Sequence, residues 1–222
     1  MDLVGMITQA AKKELLGKIA PVLGENENNV SSAVSSVIPS IIGALAGKAS
    51  DERGASDLVD YLGKSKLGNG FMDSFGSLLS GNEAKPELLE KGGGALDFLF
   101  GKSKVGSVIS LISRFTGMKG NSSGSFLKIL APYVLGMVGN HIKKNALSPA
   151  GIAKLLSGQS EYVQKAAPAE LINGLGFANV GGSNIASGAK RTASAAAAAT
   201  GSVASASAQK ASGGLGLSLI HI

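Results

Sequence analysis

The chain has 222 residues, of which 44% are hydrophobic, 16% charged and 5% aromatic, and it contains 32 glycines but neither Cys nor Trp. The absence of Cys excludes a disulfide framework and a thiolate metal site. Because strands would be richer in aromatic and β-branched residues, the composition favours packed helices with a core of Leu, Ile, Val and Ala.

The formal net charge of +6 is unevenly placed along the chain. After Phe177 the charged residues are Lys190, Arg191 and Lys210, and subtracting these three from 21 leaves 18 basic residues against all 15 acidic ones, or +3, in the preceding part. That part has neither a dense Lys/Arg stripe nor an aromatic-studded basic patch. We therefore expect no nucleic-acid partner.

The start of the chain, MDLVGMITQAAKKELLGK (1–18), lacks the charged first region and apolar second region of a secretory signal. The longest uncharged apolar runs, 37–47 and 129–139, are about half the roughly 20 residues that a membrane-spanning helix needs. We therefore expect a soluble, cytoplasmic chain with no membrane span of its own.

The first long helix is predicted by an apolar stripe at helical spacing. The stripe consists of Val30, Ala33, Val34, Val37, Ile38, Ile41, Ile42 and Leu45. Asn28 or Asn29 is the candidate N-cap, and Pro39 predicts a kink or a restart of the helix. Ser56 is the candidate N-cap of a shorter helix that follows. Residues 69–81 and 85–101 predict further helices broken by glycine-rich turns.

The tetrapeptide Gly-Lys-Ser-Lys occurs twice, at 63–66 and at 101–104, and suggests a phosphate-binding loop. Such a loop requires another glycine five residues before the Gly-Lys pair, and both copies have leucine there. Each copy also follows an amphipathic helical segment instead of a strand. We therefore expect Gly63 and Gly101 to end helices as left-handed residues, with the next lysine near the negative helix end.

A shift of 93 residues aligns two parts of the sequence. The identical pairs include Gly24 with Gly117, Asn28 with Asn121, Pro39 with Pro132 and Gly43 with Gly136. The apolar positions around the two prolines also match in kind. We infer an internal duplication, with copies at about 15–62 and 108–156.

In the second copy, a helix is predicted at about 123–144, and Ser148 with Pro149 predicts an N-cap followed by proline at the first helical position. Residues 160–176 add a final helical piece with Pro168 near its start.

No segment alternates with a two-residue period for long enough to predict a strand. The predicted fold class is all-α, a bundle of about eight helices formed by two related halves over residues 1–177.

Two stretches resemble the bacterial domain-of-unknown-function family 937, whose members include the YidB-like proteins. The matching positions are Pro39, Ile41, Ile42, Gly43 and Gly47 in the first, and Leu155, Leu156, Ser157, Gly158, Gln159, Ala167 and Pro168 in the second. The resemblance covers about residues 1–176, and its motifs are structural, so it implies no enzymatic activity. In some members such a domain precedes a membrane-spanning segment and an OmpA-type peptidoglycan-binding domain. For a tethered full-length protein it therefore implies a place at the cytoplasmic face of the inner membrane.

Residues that carry chemistry are few. His141, the one histidine before the tail, stands near a predicted helix end, where an exposed residue that interacts with the cap is expected. The carboxylate pairs Asp51-Glu52 and Asp57 with Asp60 are expected to be solvated helix termini, and no metal-binding spacing occurs. We therefore predict no catalytic, cofactor-binding or metal-binding residues. Gly43 and Gly47 are two small residues four positions apart on one predicted helix. This spacing predicts that another helix of the same domain approaches closely.

The composition changes near residue 178, and the stretch 187–214 is almost wholly Ala, Ser, Gly and Thr, which predicts a disordered linker over residues 178–222. It ends in the apolar stub GLGLSLIHI (214–222). Three interpretations are open for the stub: the start of a lost membrane segment, a natural C-terminus, or non-native sequence. Because a linker normally joins two things, truncation or non-native sequence is favoured.

The function predicted from the sequence is a non-enzymatic helical interaction or scaffold module without a cofactor. The resemblance implies a tether to a bacterial envelope protein, and a protein partner or self-association is expected. The alternative is a small-molecule or lipid-binding domain with a cavity between the two halves. An enzyme is the third hypothesis, for which no motif selects residues.

Overall fold

The computed structural model describes residues 1–67, 70–79 and 83–175, and these residues form ten α-helices and no strand. The all-α prediction is confirmed. The helices are α1 (Leu3–Leu23), α2 (Glu27–Lys48), α3 (Glu52–Lys64), α4 (Phe71–Leu78), α5 (Pro86–Phe100), α6 (Lys102–Thr116), α7 (Gly120–Lys144), α8 (Pro149–Ser157), α9 (Ser160–Ala166) and α10 (Ala169–Gly174). The predicted linker and stub lie outside the described residues.

Helix ends follow the 93-residue shift seen in the sequence. The shift places the last residue of α1 on the last residue of α6 and the first residue of α2 on the first residue of α7. The next residues after α1 and α6 are Gly24 and Gly117, and both are left-handed, with φ of 60° and 71°. Of the thirteen buried residues of α2, all but Ala44 have a buried counterpart in α7.

Packing between the two copies is reciprocal. Helix α1 packs on α2 and α6 packs on α7, and across the copies α1 packs on α7 while α6 packs on α2. The counterpart helices also meet in pairs, α2 with α7 and α3 with α8. The equivalent helices of the two copies therefore contribute to one hydrophobic core.

Three local predictions need correction. The N-cap of α2 is Asn26, whose side chain accepts from the Asn28 amide, because a β-region residue is needed just before the first helical turn. For the same reason Asp51 caps α3 through the Gly54 amide, and Ser56 instead donates to the Glu52 carbonyl inside the helix. The third correction concerns residues 85–101, for which a helix broken by a glycine-rich turn was predicted. Helix α5 instead runs unbroken through its three consecutive glycines. The predicted Ser148–Pro149 start of α8 is present as expected.

Proline does not interrupt either central helix. Helix α2 continues through Pro39 and α7 continues through Pro132, and both prolines are buried. Of the predicted kink or restart, the restart is therefore wrong, and the kink stays a prediction. Tertiary packing on all sides of these helices offsets the loss of one backbone hydrogen bond in each.

By length and composition α2 could cross a membrane, which the sequence prediction had missed by counting only its uncharged run. In the fold, however, 72% of its most apolar window is buried among other helices. An apolar helix surrounded by protein is equally typical of a domain core.

A buried glutamine joins the first residues of the chain to the turn between α8 and α9. Gln159, in the turn between α8 and α9, is only 2% exposed. Its side-chain oxygen accepts from the Leu3 amide at 2.9 Å, and its side-chain nitrogen donates to the carbonyls of Met1 and Leu155 at 3.0 and 3.2 Å. One side chain therefore holds the first residues of α1 against the α8–α9 turn.

A buried tyrosine predicts a pH dependence of stability. The Tyr133 hydroxyl donates to Glu14 Oε2 at 3.1 Å, and burial, followed by the Glu14 charge, raises the pKa of Tyr133 above its usual value. In the unfolded chain this tyrosine loses its proton near pH 10, while the folded protein holds it to higher pH. The stabilisation is therefore complete below about pH 10 and is lost as the pH rises beyond it.

We expect the free energy of unfolding to fall less steeply above about pH 10 in Tyr133→Phe than in the wild type. Urea unfolding at a series of alkaline pH values measures this slope. Tyr162→Phe, which removes a hydroxyl elsewhere in the fold, is the control. Parallel slopes for wild type and Tyr133→Phe would refute the assignment.

Candidate binding groove

A groove of about 650 Å³ lies where the C-terminal end of α3, from the first copy, meets that of α7, from the second. Its lining residues are Val59, Leu62, Gly63, Lys66, Gly139, Ile142, Lys143, Ala146 and Leu147. Four of these are aliphatic side chains larger than alanine, two are lysines, and no carboxylate is among the described lining residues. The groove therefore combines an apolar wall with positive charge.

Both helices that form the groove end in the same way. After α3 the Lys66 amide donates to the Gly63 carbonyl and the Leu67 amide donates to the Leu62 carbonyl. After α7 the Ala146 and Leu147 amides donate in the same way to the carbonyls of Lys143 and Ile142. This is the Schellman arrangement, which satisfies the last carbonyls of a helix and requires one left-handed residue. Those carbonyls are therefore already paired within the chain.

The left-handed residue is not glycine at either end. Lys66 has φ of 56° and Ala146 has φ of 46°, and they are the two non-glycine residues with positive φ in the described part of the chain. Both line the groove. A Cβ in this conformation costs roughly 1–2 kcal/mol, so the groove is flanked by two strained turns.

We expect Ala146→Gly to stabilise the fold by about 1 kcal/mol, because glycine adopts the left-handed conformation without a Cβ clash. For a chain of this size the melting temperature should rise by roughly 2–4 °C. The matched control is Ala150→Gly in α8, where the same exchange at a helical position should cost about 1 kcal/mol. If both variants lose stability alike, the strain at residue 146 is not real.

The two Gly-Lys-Ser-Lys segments are placed differently from each other. Gly63 lies inside α3 and the left-handed residue is three positions later, so its predicted role is wrong. Gly101 does end α5 and has a positive φ of 81°, but its ψ of 142° is extended and it also starts α6. Glycine was expected at both turns because it is the usual left-handed residue, and lysine takes that position in the first.

Other residues considered from the sequence lie apart from the groove wall. His141 is in the last turn of α7, where the Asn145 side chain donates to its carbonyl at 2.8 Å. Gly43 is buried but Gly47 is exposed, so the pair does not form one close-packed helix surface. No group of three metal-ligating side chains occurs in the described ranges.

A second cleft of about 500 Å³ runs between α3 and α5 and shares Lys66 with the groove. It is polar, because Lys64, Glu87, Glu90 and Lys91 line it together with Tyr61. The Lys91 ammonium donates to the Ser65 carbonyl at 3.1 Å and lies 3.8 Å from Glu87. Charges of both signs partner each other here, so this cleft is less suited to an apolar ligand.

Sequence patterns did not predict the groove. Val59 and Leu62 read as one side of an amphipathic helix, and Ile142 and Leu147 belong to a helix end and a loop. Val59 is 42% exposed. The alternative function named a cavity between the two halves, but no residue pattern in the sequence marks the residues that line the groove.

Two copies of one helical unit around a shared core, with a groove at one seam, define a small all-α domain. The family model described as "Bacterial protein of unknown function (DUF937)" matches residues 5–141, which is more than half of the chain. The chain belongs to this family. No curated protein and no solved structure matches it.

Proposed function

We propose that the chain is a non-enzymatic helical binding module and that the groove is its binding surface. The observation that supports this is the groove itself, where aliphatic side chains from both copies line a space of about 650 Å³. Ligand sites in proteins are typically apolar clefts of about 300–1,000 Å³ with a few placed polar groups. The groove has this size and this mixture of side chains.

Size favours a small apolar ligand over a protein partner as the occupant of the groove. A stable protein interface buries about 800 Å² on each side and involves some 20–30 residues. The groove is lined by nine described residues, of which four have large aliphatic side chains. The proposal also keeps the interaction or scaffold role. In it, the module binds its ligand while it is tethered to an envelope protein.

Substitution of Gly63 offers a direct way to fill the groove. A Cβ built at Gly63 meets no heavy atom within 4 Å, although the residue lies on the groove wall inside α3. Leucine at this position should therefore extend into the groove without disturbing the helix, for which leucine is also the better former. Gly17, in α1, has equally open surroundings away from the groove and provides the matched control.

We expect the wild type and Gly17→Leu to enhance the fluorescence of 8-anilinonaphthalene-1-sulfonate, an apolar probe with an anionic group. Gly63→Leu should bind this probe at least about tenfold more weakly, because its new side chain occupies the space that the probe needs. Fluorescence titration measures the three affinities, and circular dichroism confirms that each variant is folded. Equal binding by Gly63→Leu and Gly17→Leu would show that the groove is not the binding surface.

A further inference from the structure

We infer that Lys91, which lies outside the groove, is a positioning residue for one groove wall and thereby controls binding there. Its ammonium holds the α3 turn, residues 62–67, to helix α5. The α3 turn carries three of the residues that line the groove, namely Leu62, Gly63 and Lys66. This inference rests on the proposed function, since it concerns the regulation of the same groove.

A hydrogen bond from Lys91 crosses from α5 to the α3 turn. The Lys91 Nζ donates to the Ser65 carbonyl at 3.1 Å, and the Lys91 side chain is only 20% exposed. Ser65 directly follows the last residue of α3, where the helix dipole places partial negative charge. A hydrogen bond from a charged donor is stronger than one between neutral groups. The ammonium therefore stabilises the end of α3 through the hydrogen bond and through the dipole.

Strain in its backbone makes the α3 turn dependent on such support. Lys66 follows Ser65 and has φ of 56°, a conformation that is unfavourable for a residue with a Cβ. Strained conformations persist where the surrounding structure holds them. Lys91 holds this turn on one side. On the other side Leu67 is buried, and its carbonyl oxygen lies 3.4 Å from the position that a Cβ would take at Gly136 of α7.

Helix α5 gives Lys91 a fixed base. The next residue, Gly92, lies so close to α7 that a Cβ there would overlap the Lys128 carbonyl oxygen. Farther along α5, Phe98 stacks on Tyr61 of α3, with ring centroids 4.2 Å apart. Because α3 and α7 form the two walls of the groove, α5 links the walls, and Lys91 makes this link next to a lining residue.

Lys91 acts on the groove only through the α3 turn. It lines the polar second cleft and is not among the residues that line the groove. Glu87, its ion-pair partner at 3.8 Å, belongs to α5 as well and is 65% exposed, so this pair does not reach across to α3. The hydrogen bond to Ser65 is thus the contact through which Lys91 affects the groove wall.

Lys91→Met in the full chain tests the inference with N-phenyl-1-naphthylamine, a neutral apolar fluorescent probe. Methionine is similar in length and helix propensity but has no charge and no donor. We expect roughly three- to tenfold weaker binding than in the wild type, because the wall then adopts its binding position in only a fraction of the molecules. Since the probe is neutral, the lost charge does not act on it directly.

Two further variants separate the hydrogen bond from the charge. Lys91→Arg keeps a charged donor and should restore binding to within about twofold of the wild type. Lys64→Met removes a positive charge from the same cleft, but it leaves the bond to Ser65 in place and should also bind within about twofold of the wild type. Equal losses of affinity in Lys64→Met and Lys91→Met would overturn the inference.

Hydrogen exchange reports on the α3 turn without any ligand. In Lys91→Met the Lys66 and Leu67 amides should exchange faster than in the wild type by more than the change in overall stability explains. The Ala146 and Leu147 amides, in the equivalent turn at the other wall, should change only as much as the overall stability does. A uniform change at both walls would mean that Lys91 has only a general effect on stability, and the inference would be wrong.

The probe titration also distinguishes this inference from the proposed function. If the wild type and Lys91→Met bind N-phenyl-1-naphthylamine equally well, the groove remains the binding surface and only the role of Lys91 falls. If the wild type does not bind this probe at all, both the proposed function and the role of Lys91 fall.

Discussion

Replacing Gly92 with alanine is expected to destabilise the fold by about 3 kcal/mol or more, which lowers the melting temperature by roughly 6–12 °C. Gly92 is buried where α5 lies against α7, the longest helix in the described part of the chain. A Cβ at this position would overlap the carbonyl oxygen of Lys128 and would lie 2.6 Å from its Cα. Backbone atoms cannot rotate away as a side chain can, so the two helices would have to separate.

The neighbouring glycine provides the control for this prediction. Gly93 follows directly in α5, but a Cβ there meets no heavy atom within 4 Å. Gly93→Ala should therefore raise the free energy of unfolding by about 1 kcal/mol, because alanine is the better helix former. Chemical denaturation of the two variants gives the comparison. A loss of stability that is equal in both would contradict the close contact between α5 and α7.

Gln159→Leu is expected to cost about 2–3 kcal/mol, because it leaves the buried Leu3 amide and two carbonyls without their partner. Leucine has a similar size, so the loss comes from hydrogen bonding and not from a cavity. Thermal unfolding should show a fall in melting temperature of roughly 4–12 °C. The matched control, Gln164→Leu on the exposed face of α9, should leave the melting temperature nearly unchanged.

Hydrogen exchange locates the effect of the Gln159 substitution. The Leu3 amide should exchange faster in Gln159→Leu than in the wild type, since its acceptor is gone. Amides in the middle of α7 should change only as much as the overall stability does. Unchanged protection at Leu3 would contradict the hydrogen bond to Gln159.

The long helices α2 and α7 could be predicted from the sequence because their apolar residues recur at helical spacing over several turns. The shift of 93 residues was also visible, since proline and glycine mark equivalent turns in both copies. The exact N-cap residues could not be predicted, because several nearby polar residues are equally suitable for one N-cap position. Asn26, Asn28 and Asn29 are an example at the start of α2. Three consecutive glycines were read as a break, whereas the close approach of α7 makes glycine necessary inside α5.

Long-range features could not be derived from local patterns. The Gln159 side chain bonds to residues more than 150 positions earlier, and nothing near it in the sequence indicates that partner. The groove depends on two helix ends that come from different copies, and on left-handed turns at Lys66 and Ala146. Such turns usually contain glycine, so lysine and alanine do not predict them. The pairing of the copies creates the groove, and only the folded chain shows it.

The groove between α3 and α7 is the proposed binding site of this chain. The most direct test is a methyl NMR titration of the wild-type chain with 8-anilinonaphthalene-1-sulfonate, in which every Ile, Leu and Val methyl group reports separately. We predict saturable shifts confined to Val59, Leu62, Ile142 and Leu147, the aliphatic lining of the groove. Shifts centred on other methyl groups, or no saturable shift at all, would contradict the account.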